Sequence, residues 1–341
     1  MSSISVSANK KEAFQVLKQA DYSVYENVSS NLEMCFELFA HHYSPYLPSL
    51  LIKIVENIDI IKPYFIHELK FLSRFLTALP LIIGIENRHD FLQDNCLFLR
   101  KGLISININT FSQIILNNQL PLAVAKKGGF FVDIDGEKLI QLRKRKNYTR
   151  NDLAEKLNVS AKSIMQYENN EMRTSREHAQ RLEEILGESI QVPLNIFAYM
   201  KKSFGDLSIN PNLQKKTSAK TRELMKTINE IVTDRGYQTY WTRTSPFDLF
   251  IYRESDDSSK IEDYTLIGGT MSDKKYQKPT HETKINFLKN TKNAPGIMIY
   301  DDESIDEKQV KQEKVPYIVI KELKELENPK EFKKLIKKRK N

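Results

Sequence analysis

The chain has 341 residues, 40% of them hydrophobic, which is too long for one small core and sufficient for two or three ordinary ones. Fifty-two lysines and arginines against 44 acids give a net charge of +8, which admits a polyanionic partner without requiring one. Two cysteines, Cys35 and Cys96, exclude a disulfide framework; both sit in apolar runs and read as buried thiols of a reducing compartment. With no apolar signal core in MSSISVSANKK and no apolar run near the roughly 20 residues that cross a bilayer, a cytoplasmic protein without membrane contact is expected.

Residues 1–120 read as an α/β region. A helix (KKEAFQVLKQA) precedes a strand (YSVYEN), the segment MCFELFAHH and an apolar strand (SLLIKIVEN). A helix (FIHELKFLSRFL), a strand (LPLIIGIEN) and a strand running into a helix (GLISININTFSQII) follow. In 121–135, two apolar stretches flank Lys126-Lys127-Gly128-Gly129. Glycines there supply the positive φ of a tight turn, so the segment reads as a β-hairpin with a basic tip.

Residues 136–190 read as a run of short helices, with the functional segment at about Gly136–Leu186. The first helix is GEKLIQLRKRK, broken at Asn147-Tyr148. The second, TRNDLAEKL, has Thr149 at its N-cap with Asp152 three residues on. Asn158-Val159 forms a turn, and Ser160 caps the third helix, SAKSIMQYENN. The fourth is SREHAQRLEEILG, with Thr174 and Glu177 at capping-box spacing and Gly187 as its stop. A connector covers 191–215.

Residues 216–341 repeat the order of the first region: TRELMKTINEIV, YQTYWTR, PFDLFIYR, DYTLIGGTM, THETKINFLKN, APGIMIYDD and VPYIVIKELKEL. An internal repeat is therefore expected. The tail KEFKKLIKKRKN carries seven basic residues and one acid and reads as a solvated end.

Thr149–Asn169 resembles the helix-turn-helix of phage repressors and Cro proteins. The matching residues are T-R-N-D-L-A-E-K-L-N-V-S-A-K-S-I-M-Q-Y-E-N. Leu153 and Ala154 fill the inner face of the second helix, Ala154 being small where the third crosses it; Val159 and Ile164 complete the packing. The resemblance pairs Arg143 with Glu168 as a structural ion pair, expected to be bidentate. It places Ala161, Lys162 and Gln166 at base-contacting positions, with Met165 a departure from the usual polar residue. It places Arg150 and Asn169 at phosphate-contacting positions, and Ser160 can join them. The chemistry agrees: Gln bonds adenine N6 and N7, and Lys donates to guanine O6 and N7. Asn170 stands where the family often has Gly, and tolerates the left-handed conformation better than most residues. Eight basic and three acidic residues between Glu137 and Lys162 make this half the expected electrostatic face.

The two flanking regions look like the restriction-endonuclease or Holliday-junction-resolvase type of core. That fold holds Mg²⁺ with an Asp and an acid-x-Lys on the next strand. Glu37 and Lys53 stand at such positions, but Leu51 replaces the second acid; Asp248 is present in the other copy, but Gly268-Gly269 replaces the rest. Both read as degenerate, so no enzyme, metal or cofactor is expected. His41-His42 reads as a polar surface pair, and His281-Glu282 lacks the second His of a zincin.

The whole resembles a family of archaeal helix-turn-helix transcriptional regulators. The expected fold is mixed α/β, with a central all-α repressor-like domain between two similar nuclease-like domains. A homodimer on double-stranded DNA is expected, its flanking domains setting the dimer spacing, sensing a small ligand or meeting a transcription-machinery protein. The alternatives are a DNA nuclease or recombination factor, and a coactivator-like bridge.

Overall fold

The computed structural model describes residues 5–26, 34–203, 219–242, 244–254, 261–269, 296–300 and 317–325, with 331 and 334. The first elements are α1 (Val6–Gln19), β1 (Ser23–Glu26), β2 (Leu38–His41), β3 (Ser49–Asn57), α2 (Pro63–Phe75) and β4 (Ala78–Glu86). Then come β5 (Cys96–Arg100), β6 (Leu103–Ile106), α3 (Ile108–Asn117), β7 (Ala123–Lys126) and β8 (Gly129–Ile134). The central helices are α4 (Gly136–Arg145), α5 (Arg150–Leu157), α6 (Ala161–Glu168) and α7 (Arg176–Leu186), with short strands β9 (Thr174–Ser175) and β10 (Gln191–Val192). The remainder is α8 (Ile196–Ser203), α9 (Ala219–Thr233), β11 (Gln238–Trp241), β12 (Leu249–Glu254), β13 (Ile261–Gly269), β14 (Gly296–Tyr300), β15 (Tyr317–Val319) and α10 (Ile320–Glu325).

Two compact units emerge. The first takes 1–22, 54–61 and 80–203; the second takes 23–53, 62–79 and 204–341. In the first unit, β4 is buried along almost its whole length, as a strand covered on both faces must be, and pairs in parallel with β6 (Leu81↔Ile104, Ile83↔Ile106). Strand β5 pairs antiparallel with β6 and in parallel with β7 (Cys96↔Ala123, Phe98↔Ala125). Strand β8 closes the hairpin with β7, and Gly128 and Gly129 take φ of 97° and 136° at its turn. The other edge of β8 carries β9 at Phe131–Val132 and β10 at Asp133–Ile134. The four central helices are thus inserted between β8 and β10, two strands that pair with each other. Helices α1 and α3 pack together, and α8 lies on β6.

In the second unit, β1 and β2 are antiparallel, and so are β2 and β3 (Leu38↔Ile52, Ala40↔Leu50). A second sheet runs β11-β12-β13-β14-β15, antiparallel for its first two pairs and parallel for its last two. Phe36-Glu37-Leu38-Phe39 leads into β2 as Phe247-Asp248-Leu249-Phe250 leads into β12; both phenylalanines preceding the acids are fully buried. Phe71 and Phe75 of α2 pack on Tyr240, Phe250 and Tyr252, aromatic pairs with centroids 3.5–6.1 Å apart.

CLFLR, to which the sequence reading assigns no element, is a strand, because the Arg100-Lys101-Gly102 turn folds it back on β6. Two expectations change. The centre is not all-α: Thr174 lies in β9, and Ser175, not Thr174, caps α7 by accepting from His178 N. The connector holds β10 and α8. THETKINFLKN, His281-Glu282 and most of the basic tail lie outside the described residues. Both cysteines are free and buried.

Candidate nucleic-acid interface

Each central helix begins on a side-chain cap. Asp135 accepts from Lys138 N at 2.9 Å to start α4. Thr149 and Asp152 form a reciprocal capping box on α5, with Asp152 N to Thr149 Oγ1 at 3.1 Å and Thr149 N to Asp152 Oδ2 at 2.6 Å. The Thr149 backbone N–H, with its hydroxyl, holds the Asp152 carboxyl below its ordinary range. Ser160 Oγ accepts from Ser163 N at 3.1 Å to start α6. Between α5 and α6, Asn158 turns the chain at φ 57°.

Gly136 is a steric requirement. A Cβ there would lie 2.1 Å from the carbonyl oxygen of Glu168, so α4 could not approach the end of α6 with any larger residue. The same junction is tied by Asn170, at φ 58°, whose Oδ1 accepts from Gly136 N at 3.0 Å. The sequence showed the left-handed turn at Asn170 but not this second use of its side chain.

Glu168 is the electrostatic centre of the module. Its side chain is wholly buried, with Oε1 2.5 Å from Arg143 Nε and Oε2 2.6 Å from Arg150 Nε. Arg143 also donates from Nη1 to Tyr148 O at 3.0 Å. The expected bidentate Arg143 pair is therefore replaced by one carboxylate bridging two guanidinium groups. Within this cluster the two guanidinium groups and the one carboxylate sum to +1. Arg150 remains nearly half exposed.

Helix α6 divides cleanly. Ile164, Tyr167 and Glu168 face inward with Leu153, Ala154 and Leu157 of α5. On the other side Lys162 is exposed, and Ala161, Met165 and Gln166 are half-buried. Ser160 and Asn169 are exposed, with Asn169 Nδ2 3.1 Å from Glu171 Oε1. Lys144 and Lys146 are exposed at the end of α4, while Arg145 and Lys138 pair with Glu188.

A polar clamp fixes the helices to the sheet. Arg173 donates from Nε to Asp133 Oδ1 at 2.7 Å and from Nη2 to Asp133 Oδ2 at 2.9 Å, and also meets the Tyr199 hydroxyl. The hydrogen bonds to Asp133 raise the Arg173 pKa against the cost of burial. This clamp was invisible in the sequence, because its members are 40 and 26 residues apart and belong to no local motif.

In the second unit, the positions that a nuclease core would give to Mg²⁺ are filled otherwise. Lys53 Nζ lies 2.7 Å from Glu37 Oε1 and 2.6 Å from Met34 O, and its ammonium sits 4.9 Å from the Phe65 ring centroid. Leu51 is buried. Glu68, also buried, accepts from Thr244 N at 2.8 Å and from the Thr244 hydroxyl. Cys35 Sγ lies 3.4 Å from Ser245 Oγ. Asp248 is buried at the head of β12. Lys53 holds the Glu37 carboxylate, and no second acid stands at Leu51, so these residues do not fit a divalent cation. Among the described residues no group of three His, Cys, Asp or Glu is placed to hold a metal.

Two family models match the chain. Residues 7–121 match the PD-(D/E)XK superfamily domain, and residues 139–192 match the helix-turn-helix domain. A Thermococcus gammatolerans protein named "Putative HTH-type transcriptional regulatory protein" is 35% identical over 48% of this chain and 50% of its own length. A Pyrococcus furiosus protein of the same name is 31% identical over 65% of this chain and 67% of its own. One from Methanothermobacter thermautotrophicus is 28% identical over 90% and 89%. The chain thus spans about half the length of the two Thermococcus relatives and most of the Methanothermobacter one. No solved structure matches. Among the described residues no helix is long and apolar enough to cross a membrane.

Proposed function

The chain belongs to the archaeal family whose members carry the name HTH-type transcriptional regulatory protein, and we propose that it regulates transcription by binding duplex DNA sequence-specifically through α6. The observation that carries this reading is the division of α6 between a buried apolar side and an outward side bearing Lys162 and Gln166. A helix of this length enters the major groove with its N-terminal residues nearest the base edges. Ala161, Lys162 and Gln166 would meet bases. Arg150, Ser160 and Asn169 would meet phosphates, the Arg150 guanidinium being nearly half exposed beside Glu168. A cytoplasmic homodimer would place two such helices about one helical turn apart.

The test is affinity for a selected site against variants with one base pair changed. Lys162→Ala and Gln166→Ala should each erase discrimination at one position, by about 1–3 kcal/mol. Arg150→Ala should weaken every duplex alike.

We read the flanking α/β regions as two copies of one fold, with three domains in all. Support comes from the two antiparallel pairings that open each series of strands, and from the shared Phe-acid-Leu-Phe at the head of the second strand. They would set the spacing of a dimer, sense a small ligand or meet the transcription machinery. The PD-(D/E)XK match favours a second reading, in which the helices target a nuclease. That reading requires Mg²⁺-dependent cleavage lost in Glu37→Ala or Asp248→Ala. The Lys53–Glu37 pair and Leu51 favour a fold without this chemistry.

A further inference from the structure

We propose that the tip of the β7–β8 hairpin is a second DNA-binding element, gripping phosphates beyond the groove that α6 reads; this inference rests on the DNA-binding reading above.

Four observations lead to it. Lys126 and Lys127 are exposed at the turn, and neither makes an ion pair among the described residues. Gly128 and Gly129 are exposed too, and a Cβ at either would meet nothing within 4 Å, so the backbone beside the lysines is open to a close ligand. The tip is also built on the strand that supports the DNA-reading helices. Strand β8 ends at Ile134, and α4 starts at Gly136. The chain leaving α6 runs back along β8 in antiparallel register, Thr174 opposite Val132 and Ser175 opposite Phe131. Asn170 marks the α6 end of this path at Gly136, and the lysines mark the other.

The length of that path is informative. From Ile134 to Gly129 are five residue steps, about 17 Å at about 3.3 Å each. One turn of B-DNA is about 34–36 Å. A reach of that length is about half a turn, enough to carry the tip from a major groove to the phosphates flanking the next minor groove. The joint is stiff, because Arg173 and Asp133 lock the returning segment to β8, and Phe98 meets the Phe130 ring edge-on one pair below the tip. A stiff arm adds contacts without the ordering cost of a flexible loop.

The test uses the full chain and a labelled duplex of mixed sequence, titrated over a series of salt concentrations. Each lysine–phosphate contact contributes about 0.9 to the slope of log affinity against log salt. Lys126→Gln/Lys127→Gln should flatten the slope by about 1 to 2. Lys127→Cys, carrying a photo-crosslinker, should link to the duplex; the native thiols are buried and leave the label to this site. An unchanged slope, or no crosslink under conditions where the protein is bound, overturns the hairpin proposal alone. If the unmodified chain shows no salt-dependent binding to any duplex, the DNA-binding reading falls and takes this proposal with it.

Discussion

Arg143→Ala should open the helix-turn-helix, and Arg150→Ala should not. Both residues bond the same buried carboxylate, at 2.5 and 2.6 Å, but their surroundings differ. The Arg143 side chain is 12% exposed and that of Arg150 is 45% exposed, so water replaces the second far better than the first. Removing Arg143 also frees the Tyr148 carbonyl. Breaking a buried ion pair by losing one partner costs about 3–5 kcal/mol, whereas a half-exposed pair is worth about 1 kcal/mol or less. Trp241, the protein's one tryptophan, lies in the other unit and would not report this change. Amide hydrogen exchange across α4 and α6 would. Arg143→Ala should speed exchange there about a hundredfold or more, since each 1.4 kcal/mol is tenfold, and Arg150→Ala by less than about tenfold. Equal effects of the two changes, or a small effect of Arg143→Ala, would refute the unequal burial on which the argument rests.

Other consequences follow from single contacts. Gly136→Ala forces a methyl to 2.1 Å from the Glu168 oxygen and should cost about 1–3 kcal/mol, read as lost protection at the α4–α6 junction. Burial alone would raise the Glu183 carboxyl, but hydrogen bonds from Ile190 N, Ser189 and Gln191 hold it below its ordinary range. Its stabilisation is then present at neutral pH and lost as pH falls through that lowered pKa; the Ile190 and Gln191 amides should lose protection in acid, and Glu183→Gln should remove this dependence. Lys53→Ala should lower the unfolding free energy read from a urea titration followed by Trp241, by about 3 kcal/mol, because it breaks a largely buried ion pair with Glu37. Burial pushes the Cys96 thiol up to about 12 and the Cys35 thiol well above its ordinary value, so alkylation at pH 8 should proceed only in denaturant. Rapid labelling of the folded chain would contradict this.

The helix-turn-helix was legible because its determinants are local. Caps at Thr149 and Ser160 and the small Ala154 announce themselves within a turn or two of helix. The Arg143–Glu168 pair was legible only through the family pattern, and its sharing with Arg150 was not, since the same sequence could have left Arg150 in solvent. Strand β5 carried a signal that could have been used, two apolar runs around Arg100-Lys101-Gly102. Strands β9 and β10 carried none. Two residues each, they exist because β8 offers them an edge, and tertiary pairing overrides local propensity. The Arg173–Asp133–Tyr199 clamp is of the same kind. In the flanking regions the order of elements was readable, while the capture of Glu37 by Lys53 needed the register of β2 on β3.

The most direct test is to recover genomic fragments bound by the full chain and by a Lys162→Ala/Gln166→Ala double variant at the same salt concentration. The unmodified chain should enrich a shared half-site, and the variant should still retain duplex DNA but enrich no common sequence. Enrichment of the same half-site by both proteins would show that α6 does not read the bases.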